Sequence, residues 1–207
     1  MTSVLQSLAL LGTLTAVQPS QTSLPTQARP TLVLRVANTA HIPRDVWADA
    51  RREVQAIYQQ AGVQIVWRQE NDIATGPRQQ LELTVVITPD CIGGARCQSE
   101  FVTGFAMGSE GRGLRRAYIF SNRVYELAFQ FHKRMPGLIP EGLVMGCAIA
   151  HETGHLLLPP GHSDTGLMRP EIDMRSIADA MRGALVFTTK QAELIREVLL
   201  LNSGKAP

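Results

Sequence analysis

Residues 141–158, EGLVMGCAIAHETGHLLL, are the most constraining stretch of the chain. The segment is apolar almost all round, with two histidines and a glutamate grouped near its end, and Pro159 and Pro160 then forbid continuation. A helix that is hydrophobic on all sides has to be surrounded by other elements. The pattern predicts a helix opened by Pro140 and Glu141, extended by Leu156, Leu157 and Leu158, and buried at the floor of a cleft. His151, Glu152 and His155 would then be three polar side chains that need partners inside protein.

The elements available to surround that helix alternate between strand and helix signals. TLVLRVAN (31–38) alternates apolar and polar residues as a strand does, and PRDVWADARREVQAIYQQAG (43–62) places Trp47, Ala50, Val54, Ile57 and Tyr58 at helical spacing. VQIVWR (63–68) and LELTVVI (81–87) read as strands joined by a turn-rich connection, which gives a β-α-β-β opening. A short strand GFAMG (104–108), a strand RAYIFSNRV (116–124), a helix YELAFQFHKRM (125–135) stopped by Pro136 and Gly137, and a C-terminal helix TTKQAELIREVLLLN (188–202) complete the pattern. With 207 residues and 44% hydrophobic content, these elements suffice for one globular domain over 31–207.

The N-terminus stands apart. Val4–Val17 is mostly apolar, too short to span a bilayer, and followed by a Pro/Ser/Thr/Gln-rich stretch. We read a signal peptide over 1–23, though no Lys or Arg precedes the apolar run, and a linker over 24–30. A secreted or periplasmic location is the corresponding expectation. No other segment suggests a membrane span. A net charge of +2 is too small to imply a nucleic-acid partner, and Arg112, Arg115, Arg116 and Arg123 read as a solvated basic face, with substrate steering as the alternative. Cys91 and Cys97 bracket a short Gly-containing loop that a disulfide would close in an oxidising compartment. As metal ligands the pair would be an incomplete zinc set. Cys147 is left over and reads as a core thiol one turn before His151.

On a helix, residues four apart lie one above the other, so the imidazoles of His151 and His155 can reach one zinc ion at about 2.0–2.1 Å. Glu152 is turned away by one residue, where its carboxylate can meet a water on the metal. Catalytic zinc usually takes three protein ligands plus water, and His162, returned by a reversal at Gly161, is the nearest third histidine. Asp164, Glu171, Asp173 and Glu193 are alternative third ligands.

Taken together, His151, Glu152, His155, His162 and Met168 in GLMRP resemble the signature of the zincin metallopeptidases. Among these they are similar to the metzincins, with H-E-x-x-H-x-x-G-x-x-H followed by a Met-turn, and HSDTGLMRP looks like the matrixin-type ending. Leu158 replaces the family glycine, and His162 comes one residue later than the signature asks. The resemblance implies an α+β zincin-like domain with a twisted mixed sheet, an active-site helix and a small C-terminal subdomain. It further implies Zn2+ held by the three histidines, Glu152 as general base, and Met168 supporting the site from below. Ser163 and Asp164 are candidates for orienting the ligands. In such folds an edge strand, here GFAMG or RAYIF, pairs with an extended peptide or protein substrate. The expected activity is zinc-dependent endopeptidase; the alternative is a zinc-stabilised binding or regulatory module of the same fold without peptidase activity.

Overall fold

A computed structural model describes residues 29–72, 80–92, 102–108, 115–134 and 141–203. In chain order the elements are β1 (Thr31–Asn38), α1 (Arg44–Gln60), β2 (Gln64–Gln69), β3 (Leu81–Thr88), β4 (Gly104–Met107), β5 (Arg116–Phe120), α2 (Ser121–Arg134), α3 (Glu141–His155), α4 (Met174–Met181) and α5 (Thr189–Ser203). The class is α+β, with a mixed five-stranded sheet of order β2-β1-β3-β5-β4. β1 pairs in parallel with β2 and β3, β3 pairs in parallel with β5, and β4 lies antiparallel at the edge against β5.

The register follows from the apolar alternation. Leu34 sits opposite Leu83, Val36 opposite Val85, and Ile87 opposite Ile119, so one face of the sheet is a continuous apolar layer. A one-residue slip would turn that layer outward. On the opposite face Glu82 bonds both Arg35 and Arg68, and Arg35 also donates to the carbonyls of Gln69, Glu70 and Asp72. Parallel neighbours need a crossover, and α1 supplies it between β1 and β2, burying Ala50, Val54, Ile57 and Tyr58.

α3 packs almost backbone to backbone on α1. A Cβ placed on Gly146 would lie 2.5 Å from Glu53 Cβ and 2.8 Å from the Ala50 carbonyl oxygen, and one on Gly142 would collide with Asp49. Thr153 adds a polar tie: its hydroxyl donates to the Ile149 carbonyl at 2.7 Å, leaving its oxygen to accept from the fully buried Tyr58 hydroxyl at 2.9 Å. The helix carrying the histidines is thereby held against α1 by both shape and hydrogen bonding.

Four expectations are corrected. The strand over 116–124 ends at Phe120, and α2 begins at Ser121, because Val124, Ala128 and Phe131 recur at helical spacing and are buried together. α3 ends at His155, short of Leu158. The amides of Leu156, Leu157 and Leu158 turn back to the carbonyls of Thr153 and Gly154 in a tightened last turn, and Pro159 keeps Leu158 from helical continuation. α4 was not anticipated; Asp173 caps it by accepting from the Ser176 amide. The helix read over 43–62 spans 44–60, because Pro43 stands at the N-cap and Gly62, with φ 78°, lies past the end.

Cys147 is fully buried in the core as a free thiol, and burial pushes its pKa well up. Cys91 is disulfide-bonded. The segment 1–23, residues 24–28 of the linker, Cys97, Arg112, Pro136, Gly137 and Pro140 lie outside the described residues. No helix among the described residues is long and apolar enough to cross a membrane.

Candidate metal centre

His151 and His155 project from the last turn and a half of α3, and the chain after that helix reverses to bring His162 beside them. The reversal passes through Gly161 at φ 123°, a conformation that side-chain-bearing residues rarely adopt. Ligand atoms of the three histidines lie within 4.8 Å of one another, and they are the metal-capable group among the described residues. His151 Nε2 and His155 Nε2 are 3.0 Å apart. A tetrahedral ion with nitrogens at 2.0–2.1 Å separates neighbouring ligand nitrogens by about 3.3–3.4 Å, so the pair is close to that spacing. Asp173 is engaged with Arg169 and Ser176, and Asp164 and Glu193 are exposed and outside the group.

One backbone group sets the chemistry of the buried ligand. His151 Nδ1 lies 2.8 Å from the Leu167 carbonyl oxygen. A carbonyl only accepts, so Nδ1 carries the hydrogen and Nε2 presents its lone pair to the cluster. A bond of this kind fixes tautomer and ring orientation where a histidine ligates a metal. The Leu167 amide in turn donates to the Val186 carbonyl at 2.9 Å, and the Ser163 amide closes the loop on the Met168 carbonyl at 2.8 Å. Gln191, from α5, donates to Ser163 Oγ at 3.2 Å. Ser163 therefore holds the loop that follows His162. Met168 is buried beneath α3, where a Cβ on Gly154 would lie 2.7 Å from its sulfur.

The electrostatics favour neutral ligands. Burial lowers the pKa of His151, against the opposing effect of its hydrogen bond to the Leu167 carbonyl, with His162 adding to the depression. Burial lowers His155 to about 4, with the neighbouring imidazoles of His151 and His162 contributing. Lone pairs are thus available at neutral pH, as metal ligation requires. Glu152 moves the other way: burial raises its carboxyl to about 8.

Glu152 fits where it does because β4 carries a glycine opposite it. A Cβ on Gly104 would collide with the Tyr118 carbonyl oxygen and lie 2.9 Å from Glu152 Cγ. Gly104→Ala is expected to destabilise the protein by about 1–3 kcal/mol, because the clash with backbone cannot be relieved by a rotamer change. Urea unfolding measures this, and an unchanged midpoint would contradict the close approach.

A cleft of about 800 Å³ opens over the cluster, lined by β4, by His151, Glu152 and His155, by the turn through His162, and by Pro170–Ile172. The Phe120 amide donates to the Thr103 carbonyl at 2.8 Å, which makes Thr103 and Phe120 a hydrogen-bonded antiparallel pair. By the alternation of such ladders, Phe105 and Tyr118 are bonded likewise, and the N–H and C=O groups of Gly104 and Ala106 face away from β5. Strand alternation also divides the arginines that read as one solvated face. Arg115 is half-buried and lines the cleft, whereas Arg116 falls on the other side of the sheet.

The sequence reading brought out all three histidines, Glu152 and Met168. It missed Leu167, which acts through its backbone and leaves no side-chain signal, and it left Arg115 undivided within a basic patch, because the side it faces depends on strand phase. It also missed the role of Gly104, although an isolated glycine in a strand is a sign of close backbone approach. The chain matches no protein-family model and no curated protein.

Proposed function

We propose that this protein is a zinc-dependent endopeptidase of zincin type, and that it acts in a secreted or periplasmic setting. The observation that carries the reading is the convergence of three imidazoles beside a buried carboxylate, in a cleft bordered by the edge strand β4. An all-imidazole set of three suits zinc with a free position better than it suits the oxygen-loving cations.

A zinc ion held by His151, His155 and His162 would supply Lewis acidity and a water of lowered pKa. Gly104 and Ala106 pair with an extended peptide along the edge of β4, setting the scissile carbonyl over the cluster. Glu152 takes the proton of the attacking water as its oxygen bonds to the carbonyl carbon. It then delivers that proton to the amine as the C–N bond breaks. Burial alone holds this carboxyl protonated up to about pH 8; the charge of a zinc ion beside it would lower it again and free it to accept the proton. Met168 supports the turn of α3 from below, and the Leu167 carbonyl keeps His151 in the ligating tautomer.

The test is cleavage of unfolded casein and of quenched-fluorescent peptides by the full chain loaded with one equivalent of Zn2+. Cleavage should stop with 1,10-phenanthroline and return with added Zn2+. Stoichiometric zinc with neither cleavage nor hydroxamate binding would replace this reading by the zinc-stabilised module.

A further inference from the structure

Among the described residues, the lining of the cleft contains one cation, Arg115, whose charge the proposed mechanism leaves unused. Continuing the β4–β5 register one residue past Met107↔Arg116 sets Arg115 opposite Gly108, at the other end of β4 from the Gly104–Glu152 contact. Alternation turns it to the side of Ala117, towards α3. There Nη1 donates to the Leu156 carbonyl at 3.3 Å, satisfying a carbonyl that the helix end leaves open. Arg115 is half-buried and borders the cleft together with Gly108, Leu156 and Leu158. Its side chain makes no ion pair and no other hydrogen bond among the described residues, so most of the guanidinium donors have no partner there.

A helix-capping role accounts for one donor. It does not account for a half-buried cation without a counter-ion among the described residues at the wall of a binding cleft, an arrangement that costs free energy until an anion arrives. A carboxylate is the matching group, since the planar fork of guanidinium accommodates it in two parallel charge-assisted bonds. Antiparallel pairing is the more stable way to extend β4, and it runs the substrate from the Gly108 end towards Gly104. Residues arriving at Arg115 therefore precede the scissile bond. At about 3.3 Å per residue along an extended strand, the reach of an arginine places them two or three residues before it.

We infer that Arg115 is a specificity-determining residue that selects peptides bearing an aspartate or glutamate two or three residues before the cleaved bond. The inference rests on the peptidase reading and deepens it.

The experiment uses the zinc-loaded full chain and N-acetyl tripeptide hydroxamates, with Glu or Gln at the second or third residue before the hydroxamate. Binding is measured by calorimetry, and no turnover is required. The best-placed Glu probe should bind the wild type on the order of 10-fold more tightly than its Gln counterpart, as expected for a charge-assisted bond of modest net strength. Arg115→Gln should close that gap to within about twofold. Equal binding of Glu and Gln probes to the wild type would overturn the inference and leave Arg115 as a helix cap. The wild-type comparison decides even if the variant does not fold. Should no hydroxamate bind at all, the peptidase reading fails and this inference fails with it.

Discussion

Glu152→Gln is expected to keep zinc at about one per chain and to lower peptide hydrolysis by about a hundred- to ten-thousand-fold, the range associated with a positioned general base. The same substitution has an opposite effect on stability. Burial raises the Glu152 carboxyl from 4.5 to about 8, so the folded protein holds a proton that the unfolded chain has already released. A raised pKa contributes stability that is present below the unfolded value and lost as pH climbs through the folded one. For this group the loss runs from about pH 4.5 to about pH 8. Metal-free wild type should therefore be less stable than metal-free Glu152→Gln above pH 8, by up to a few kcal/mol, with the gap narrowing towards pH 5. The shifts of His151 and His155 are common to both proteins and largely cancel in the comparison. Urea midpoints across pH 5–9 and initial cleavage rates at fixed zinc read the two effects. Retained turnover would remove Glu152 from its assigned role, and parallel pH curves would mean that its carboxyl is not held protonated by the fold.

The second large effect separates two histidines that the motif treats alike. His151 is buried and holds the Leu167 carbonyl, whereas His162 is exposed beyond Gly161. His151→Ala removes a ligand, opens a cavity and strands a buried carbonyl. Zinc affinity should fall by more than the 10- to 100-fold typical of outer-shell losses, and the metal-free protein should lose about 2–4 kcal/mol. His162→Ala should also lose zinc affinity but shift metal-free stability by no more than about 0.5 kcal/mol, as an exposed substitution does. Elemental mass spectrometry after dialysis against a weak chelator, together with unfolding of the chelated proteins, distinguishes them. Full zinc in His162→Ala would move the third ligand elsewhere, and an absence of zinc from the wild type would make the cluster a structural packing of imidazoles.

Much of this architecture is legible in the residues because periodicity and chemistry coincide. Leu32, Leu34 and Val36, or Ala50, Val54 and Ile57, each declare a face that only one kind of element can bury. His151 and His155 declare a shared ligand by spacing alone. The failures come where two periods overlap or an element is short. RAYIFSNRV reads as one strand because Ile119, Phe120 and Val124 are all apolar; the helical set Val124, Ala128 and Phe131 starts inside it. α4 has eight residues, too few for a periodic signal, and only Asp173 and Ser176 hint at its start. Leu156–Leu158 look like helix because leucine favours it, but the constraint from Pro159 acts one residue earlier than the proline itself. Arg115 carried its charge openly, yet the side it faces is fixed by pairing with a strand that the local sequence does not specify.

The Leu167–Val186 bond bears on where the functional unit ends. The three clustered histidines, Glu152 and Met168 all lie within residues 151–168, so a domain boundary drawn from the motif would fall soon after Pro170. The peptide that orients His151 nevertheless hangs from Val186, and the loop after His162 is held by Gln191. A recombinant fragment cut between these points would retain the full donor set on a loop with no anchor. The smallest portable version of this centre thus extends through α5, an element that contributes none of its ligands.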